Sequence, residues 1–92
     1  MYEPVFSKQF ERSYRKLRQS GKLDRREVEE TIAILASGRK LDPTYKDHIL
    51  NGEYAGCREC HIRGNILLIY KIEKGILVLL LVDIGTHPAL FG

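Results

Sequence analysis

The three histidines of this 92-residue chain are His48, His61 and His87, and all of them lie in its second half. An imidazole takes up and releases a proton near neutral pH, so it can act as a general base or a general acid. A single histidine is more often a surface or structural residue than a functional one. What these three can do therefore depends on whether the fold brings them together.

A carboxylate accompanies one of these histidines in residues 56–62, which we predict to form a strand. Successive side chains of a strand point to opposite faces of the sheet. One face therefore carries Cys57, Glu59 and His61, and the other carries Arg58, Cys60 and Ile62. The pattern predicts that the Glu59 carboxylate and the His61 imidazole stand side by side on one surface.

The same segment contains the pattern Cys57-Arg58-Glu59-Cys60-His61, which has the spacing of a c-type haem attachment site and, as C-x-x-C, of a redox or zinc site. In a strand the two sulfurs point to opposite faces, so they cannot readily share a metal or form a disulfide. Haem attachment would also need export and a second axial ligand, and the only methionine is Met1. We therefore expect two ordinary buried thiols of a strand and no metal site.

The elements that must position the histidines are predicted to be strands of an antiparallel sheet. After residues 56–62, apolar runs predict strands at 65–72 and 76–84 around a turn at 73–75, and Gly85 is expected to end the last strand. His48 lies in a long polar loop, residues 39–54, which suggests a functional loop. Two or three of the histidines are then expected to converge at one end of the sheet.

The first half predicts a short edge strand, residues 1–6, and two helices. Ser7 is a plausible N-cap for a helix over residues 8–19 that closes at Ser20-Gly21, and Asp24 begins a second helix that stops at Gly38. Their apolar faces need a sheet to cover them. The predicted fold class is α+β, with two N-terminal helices packed on a twisted antiparallel sheet of three to four strands, in a single domain over residues 1–92.

The charge of the chain is moderately basic. Lys and Arg outnumber Asp and Glu by 15 to 12, the formal net charge is +3, and the pI is about 9.0. Basic residues concentrate in the first helical region and the turn after it, at Lys8, Arg12, Arg15, Lys16, Arg18, Lys22, Arg25 and Arg26. This composition permits a polyanionic partner without requiring one, and both a solvated face and a contact with RNA or the ribosome remain open.

RNA cleavage by internal transfer is one chemistry that this set of residues permits. It needs a base for the 2′-hydroxyl proton, an acid for the 5′-oxygen leaving group and cationic donors around the phosphate, and imidazoles suit both proton tasks without a metal. Arg58 or Arg63 can supply the phosphate charge, or can simply be solvated. Phe91 can stack on a base, or can simply hold the C-terminal tail down.

The start of the chain has neither a basic segment nor a long apolar run, so we expect no signal peptide. Charged residues, including Arg63, Lys71, Glu73 and Lys74, interrupt every long apolar window, so no transmembrane span is expected. The predicted location is the cytoplasm, with both cysteines reduced.

Several of these motifs together resemble a known toxin family. They are the runs Tyr45-Lys46-Asp47-His48, Arg58-Glu59-Cys60-His61 and Leu68-Ile69-Tyr70-Lys71, with Leu50 and Gly52 between the first two, and the ending Gly85-Thr86-His87-Pro88-Ala89-Leu90-Phe91-Gly92. In this order they resemble the YafQ branch of the RelE/ParE toxin superfamily. The resemblance covers most of the chain and implies a RelE-like α+β fold.

The resemblance also implies roles for individual residues. His48, His61 and His87 match the active-site histidines of the family and Phe91 its terminal aromatic residue, which would position a base. His87 is then expected to be the general acid, and His61 or His48 the base or a transition-state stabiliser. Glu59 stands where YafQ-like proteins carry an aspartate, as an orienting group or a base. Asn65 stands where an active-site aspartate is found, and an amide there cannot act as a base.

The family further implies a type II toxin: an endoribonuclease that cuts mRNA, typically in the ribosomal A site, without a cofactor. A cognate antitoxin would wrap and silence it, and the toxin would reach operator DNA only within that complex. Two alternatives are a ParE-like toxin that inhibits gyrase by contact and a basic nucleic-acid-binding module without catalysis. Neither has a chemical use for the histidine-rich end of the sheet, so the sequence favours the enzyme.

Overall fold

The computed structural model of the chain describes residues 1–63 and 65–92. Its strands are β1 (Glu3–Phe6), β2 (His48–Ile49), β3 (Arg58–His61), β4 (Ile66–Glu73) and β5 (Val78–Thr86). Its helices are α1 (Lys8–Ser20), α2 (Arg25–Ala36) and α3 (His87–Phe91), and single 3₁₀ turns occur at Pro43–Tyr45, Gly52–Tyr54 and Lys74–Ile76. In this part of the chain no helix has the length and apolar character needed to cross a membrane.

The strands form one five-stranded sheet in the order β1-β5-β4-β3-β2. The pairs β2–β3, β3–β4 and β4–β5 are antiparallel, whereas β1 lies parallel to β5 at the edge. Pro4 lies in this edge strand, where one side of the backbone needs no partner. The α+β prediction is confirmed, but the sheet is mixed and has five strands, because β2 adds a two-residue strand that the polar sequence of the loop did not indicate.

The two long helices begin and end close to the predicted positions because their caps are local. The Ser7 hydroxyl accepts the Phe10 N–H at 2.9 Å, and Gly21 closes α1 in the left-handed conformation at φ 74°. The Asp24 carboxylate accepts the N–H groups of Arg26 and Glu27 at the start of α2. The helices therefore start where short polar side chains satisfy their free N–H groups.

The core lies between these helices and one face of the sheet. The helices contribute Phe10, Leu17, Val28 and Leu35. The sheet contributes Cys60 of β3, Ile62 just after β3, Ile66, Leu68 and Tyr70 of β4, and Leu79, Leu81 and Ile84 of β5. The even-numbered residues of β3 and β4 point into this core, as strand alternation requires. The odd-numbered residues of these two strands therefore face the other side of the sheet.

That other face is also largely buried. Leu67 and Ile69 of β4 are buried there, and the sheet register lines up Glu59, Ile69 and Asp83 in one row across β3, β4 and β5. Both faces of the central strands are therefore at least partly covered. We refer to this side, which carries Glu59 and His61, as the histidine face.

The β4–β5 connection differs from the predicted turn at residues 73–75. Strand β4 continues through Glu73, the turn occupies Lys74–Ile76, and β5 begins only at Val78. Leu77 takes the left-handed conformation at φ 54° and donates its N–H to the Lys74 carbonyl. Ile76 and Leu77 are exposed although they are apolar. Their hydrophobicity suggested a strand, and the prediction of a strand from residue 76 was wrong at this end.

The C-terminal end differs as well. Strand β5 passes through Gly85 and ends at Thr86, so the predicted break at Gly85 was wrong. The tail then forms α3, in which the Thr86 hydroxyl accepts the Ala89 N–H and Pro88 lies in the first turn. A proline in the first helical turn loses no helical hydrogen bond. This short helix carries both His87 and Phe91.

Candidate active site

Glu59 lies between two of the histidines on the histidine face. Its Oε1 lies 3.4 Å from His48 Nε2 and 3.7 Å from His61 Nε2, and the two imidazole rings are 6.4 Å apart between centroids. Glu59 is only 4% exposed, whereas half of the His48 side chain is exposed. A buried carboxylate thus holds two accessible imidazoles with the same ring nitrogen turned toward it.

The register of the sheet explains this cluster. His48 of β2 pairs with Glu59 of β3, and in an antiparallel pair directly opposed residues share a face. His61 follows Glu59 by two residues, so strand alternation puts it on the same face. The local order of the sequence placed Glu59 and His61 together, whereas His48 arrives only through the pairing of β2 with β3.

His87 and Phe91 form the second part of the site. They belong to α3, with ring centroids 5.1 Å apart, and Phe91 is 40% exposed. The Phe91 ring also meets Tyr54 edge-on at 5.8 Å. The C-terminal aromatic ring is therefore held between a histidine and a tyrosine, with part of its surface left open.

The two parts lie at the same end of the sheet. His61, Leu67 and Gly85 form one row across β3, β4 and β5, and His87 follows Gly85 by two residues. Neighbouring strands lie about 4.8 Å apart, so the β3 and β5 ends of this row are separated by roughly 10 Å. His61 and the start of α3 therefore lie two strands apart at the same end of the sheet.

The remaining predicted site residues occupy different surroundings. Arg58 projects to the face opposite the histidines, where it pairs with Asp47 at 3.1 Å. Arg63 is exposed and contacts Glu27 of α2 at 2.8 Å, and it lines a groove of about 530 Å³ next to His61. Asn65 is exposed in the turn before β4. Arg63 and Asn65 thus lie near the histidine end of the sheet, and Arg58 lies behind it.

Two residues of this site, Asp83 and Tyr54, were missed by the sequence reasoning. Asp83 is 6% exposed and lies in the same row as Glu59, with one carboxylate oxygen accepting the Ile84 N–H at 2.8 Å. Burial, followed by the negative charges of Asp83 and Glu53, raises the pKa of Tyr54. A lone aspartate in the apolar run of β5 was a signal that could have marked the position of Asp83.

The prediction of two buried thiols in a strand is confirmed for Cys60 and was wrong for Cys57, which precedes β3. Cys60 is fully buried in the core, Cys57 is partly exposed, and both thiols are free. Among residues 1–63 and 65–92, no group of three or more His, Cys, Asp or Glu side chains has an arrangement that could hold a metal ion. The site offers proton-transfer groups, a partly open aromatic ring and buried carboxylates.

A comparison with known proteins identifies the family of this chain. The family model for the bacterial toxin of type II toxin–antitoxin systems, YafQ, matches residues 2–92. The mRNA interferase toxin YafQ of Escherichia coli K12 is 35% identical over 78 residues, which cover 84% of this chain and 83% of the relative.

Solved structures show the same fold. A metal-bound toxin from Helicobacter pylori superposes with a TM-score of 0.90 at 36% identity, over 99% of this chain and all of that one. The E. coli DinJ–YafQ complex contains a chain that superposes with a TM-score of 0.85 at 31% identity, over the full length of both chains. The fold and the family match define a small toxin of the RelE-like class. More closely, this chain belongs to the YafQ family of bacterial type II toxins, as its motifs indicated.

Proposed function

We propose that this protein is an endoribonuclease that cuts mRNA by metal-free acid–base catalysis, with the 2′-hydroxyl as the nucleophile. The observation that carries the proposal is the His48–Glu59–His61 cluster at the same end of the sheet as His87 and Phe91. The activity agrees with the name of the E. coli relative, an mRNA interferase toxin. The protein would act in the cytoplasm, where its substrate is found.

In the proposed reaction the 2′-oxygen attacks the phosphorus while the bond from phosphorus to the 5′-oxygen breaks. A base on the β3 side, His61 or His48, takes the 2′-hydroxyl proton, and His87 gives a proton to the leaving 5′-oxygen. The products are a 2′,3′-cyclic phosphate and a 5′-hydroxyl. The roughly 10 Å between the β3 and β5 ends of this row lets the base and the acid stand on opposite sides of the phosphate.

Glu59 acts in this scheme by orienting the two imidazoles that share its Oε1. It also stabilises positive charge that develops on the ring that accepts the proton. Asn65, exposed beside this cluster, can donate and accept hydrogen bonds to the RNA but cannot take a proton.

The partly open Phe91 ring is the proposed stacking surface for a base, and its contacts with His87 and Tyr54 fix its position. Stacking of a base on an aromatic ring contributes about 1–3 kcal/mol. Arg63, exposed at the end of β3, is the better placed of the two predicted arginines for phosphate contact. Either arginine would have to leave its carboxylate partner, Glu27 for Arg63 and Asp47 for Arg58, but the Arg63 side chain is 81% exposed and that of Arg58 only 43%.

A cognate antitoxin is the proposed protein partner, since the E. coli relative forms a complex with the antitoxin DinJ. Operator DNA would be bound only through that complex, and ribosomes would present the mRNA. All of these functions would reside in a single domain over residues 1–92. The relatives found here lend no support to a ParE-like gyrase inhibitor.

The experiment compares wild-type protein with His87→Ala and with Gln19→Ala, an exposed residue at the end of α1. We expect His87→Ala to lose mRNA cleavage and growth arrest while it still binds the antitoxin, and Gln19→Ala to behave as wild type. Cleavage by the wild type should persist in a chelator. Growth arrest by a folded His87→Ala variant equal to that of the wild type would instead indicate an inhibitor that acts by contact.

A further inference from the structure

A second cluster lies directly behind the histidine site, on the helix side of the sheet. The Asp47 carboxylate accepts hydrogen bonds from Arg58 Nη2 at 3.1 Å, from Arg58 Nε at 3.2 Å and from the Tyr70 hydroxyl at 2.5 Å. Arg58 belongs to β3 and Tyr70 to β4, and the two residues are paired in the sheet register. Asp47, which directly precedes His48, is thus bound to the two strands β3 and β4.

The local backbone explains why this anchor matters for His48. Strand β2 has only two residues, and Lys46 before it takes the left-handed conformation at φ 51°. The Lys46 carbonyl accepts the His48 Nδ1–H at 2.8 Å. Because a carbonyl can only accept, Nδ1 carries a proton in this contact, and Nε2 is the nitrogen that faces Glu59. The orientation of the imidazole therefore depends on a short, exposed segment that has few backbone hydrogen bonds of its own.

The two partners of Asp47 differ in burial and in charge, and together they restrict its carboxylate. The Tyr70 ring is 2% exposed, and burial together with the hydrogen bond to Asp47 raises its pKa, so it remains a donor. The Arg58 guanidinium supplies a charge-assisted pair that fixes both direction and distance. A carboxylate held by one buried donor and one planar cation has little freedom to move.

We propose that Asp47 is a positioning residue, held by Arg58 and Tyr70 behind the sheet, that sets the distance and orientation of the His48 imidazole relative to Glu59. This inference rests on the proposed nuclease function, since it assigns His48 a part in that reaction. It accounts for Arg58 as part of the support rather than as a phosphate ligand. Asp47 and Tyr70 touch neither of the other two histidines in the contacts described above.

The test is a double-mutant cycle on mRNA cleavage. Asp47→Asn keeps the shape of the side chain and removes the charge that pairs with Arg58. In the wild-type background we expect kcat to fall by about 10- to 100-fold, the range that a displacement of a catalytic group by about 1 Å produces, with KM nearly unchanged. Tyr70→Phe, which removes one hydrogen bond, should lower kcat less.

The backgrounds distinguish positioning from general weakening. If Asp47 acts through His48, Asp47→Asn should have no further effect in a His48→Ala protein and should keep its full effect in a His61→Ala protein. An equal loss of kcat in both backgrounds would overturn the proposal. Circular dichroism and thermal unfolding of each variant ensure that the rates compare folded proteins.

A measurement that needs no activity separates this inference from the nuclease proposal. The ¹⁵N signals of His48 in the wild type should show a proton on Nδ1, and Asp47→Asn should abolish that signature while the His61 and His87 signals stay unchanged. Unchanged His48 signals would overturn the positioning role even if cleavage is observed. Absence of cleavage by the wild type, with the His48 signals shifting as expected, would overturn the nuclease function. The contacts of Asp47 with Arg58 and Tyr70 would then be a structural feature only.

Discussion

At the scale of single residues, the two carboxylate oxygens of Glu59 differ sharply in their partners. Its Oε1 faces two imidazoles, whereas its Oε2 is buried without a hydrogen-bond partner among the residues that the structure describes. A buried carboxylate oxygen without a partner costs stability, about 1–3 kcal/mol or more. Such costs are typical of sites where function, rather than stability, determines the residue.

The first prediction concerns Glu59→Gln, which keeps the size of the side chain and removes the charge. We expect the free energy of unfolding to rise by about 1 kcal/mol, since the remaining imidazoles are partly exposed and lose little when the carboxylate is neutralised. Cleavage should fall by at least about tenfold, as the imidazoles lose their common orienting group. Urea denaturation and initial rates measure the two effects.

Glu11→Gln, an exposed glutamate of α1, is the matched control and should leave both quantities nearly unchanged. A Glu59→Gln protein that is less stable than the wild type by more than 1 kcal/mol would show that the carboxylate is well satisfied in the folded state, contrary to our account.

The second prediction concerns Cys60, whose complete burial raises the pKa of its thiol from 9.0 to about 12. The folded state therefore keeps this proton at a pH where the unfolded chain loses it. The stability that this group contributes is fully present below pH 9 and is lost as the pH rises from about 9 toward 12. Tyr70 and Tyr54, whose pKa values are also raised, add losses of the same sign at higher pH.

Each proton contributes a slope of up to about 1.4 kcal/mol per pH unit. Cys60→Ala should thus be less stable than the wild type at pH 8 because of the cavity, and its stability should fall less steeply between pH 9 and pH 11. Urea unfolding at several pH values measures the difference. Parallel slopes for the two proteins would show that the thiol is not desolvated as the structure indicates.

At the scale of elements, Ser7 joins two parts of the fold. Its hydroxyl accepts the Phe10 N–H at the start of α1 and donates to the Val82 carbonyl of β5 at 2.6 Å. The pairing of β1 with β5 ends at Phe6 and Leu81, so Val82 lies one residue beyond it. Ser7 therefore serves as a helix cap and also as a substitute for a missing strand.

The third prediction is that Ser7→Ala lowers the free energy of unfolding by about 2 kcal/mol, combining the loss of a cap with that of a hydrogen bond. Ser13→Ala, in the middle of the same helix, is the control and should change stability by less than about 0.5 kcal/mol. Thermal or urea unfolding measures both. Equal effects of the two substitutions would contradict the role of Ser7 at the junction.

The elements differ in how far the sequence could predict them. Helices α1 and α2 were predictable to within a residue or two because Ser7, Gly21 and Asp24 act locally. Strand β2 was not predictable, since two residues have no periodicity and His48 is placed by its pairing with Glu59. The end of β5 and α3 were missed because Gly85 suggests a break, whereas pairing with Leu67 continues the strand.

The candidate site likewise has a part that the sequence could predict and a part that it could not. The Glu59–His61 neighbourhood followed from strand alternation alone, and the position of His87 at the same end followed from antiparallel order. The burial of Asp83 and the anchoring of Asp47 by Tyr70 depend on contacts between residues far apart in the chain. Sequence patterns of a single element contain no information about such contacts.

At the scale of the whole molecule, the histidine face and a second surface lie on different parts of the fold. A groove of about 580 Å³ between α1 and α2 is lined by apolar side chains such as Phe6, Tyr14 and Ile32 and by charges of both signs. These charged residues are Arg15, Arg18, Arg25, Glu11 and Glu29. Phe6 is 45% exposed. Exposed apolar surface of this kind is typical of protein-binding sites, and an amphipathic antitoxin segment would match its apolar and charged side chains.

The fourth prediction follows for the antitoxin complex. Hydrogen exchange of the co-purified toxin and antitoxin should show new protection either on this groove or on the histidine face, together with a higher melting temperature than that of the free toxin. A complex in which neither the strands nor the helices of the toxin gain protection would contradict an antitoxin that covers these surfaces.

The central claim is that the histidine face cleaves RNA through the 2′-hydroxyl. The most direct measurement incubates the purified protein and its His87→Ala variant with a defined mRNA, with and without translating ribosomes, and identifies the ends of the products. We predict that the wild type cleaves the mRNA and that His87→Ala does not. The products should carry a 2′,3′-cyclic phosphate or a 3′-phosphate and a 5′-hydroxyl. Products with a 3′-hydroxyl and a 5′-phosphate, or cleavage that does not depend on His87, would contradict it.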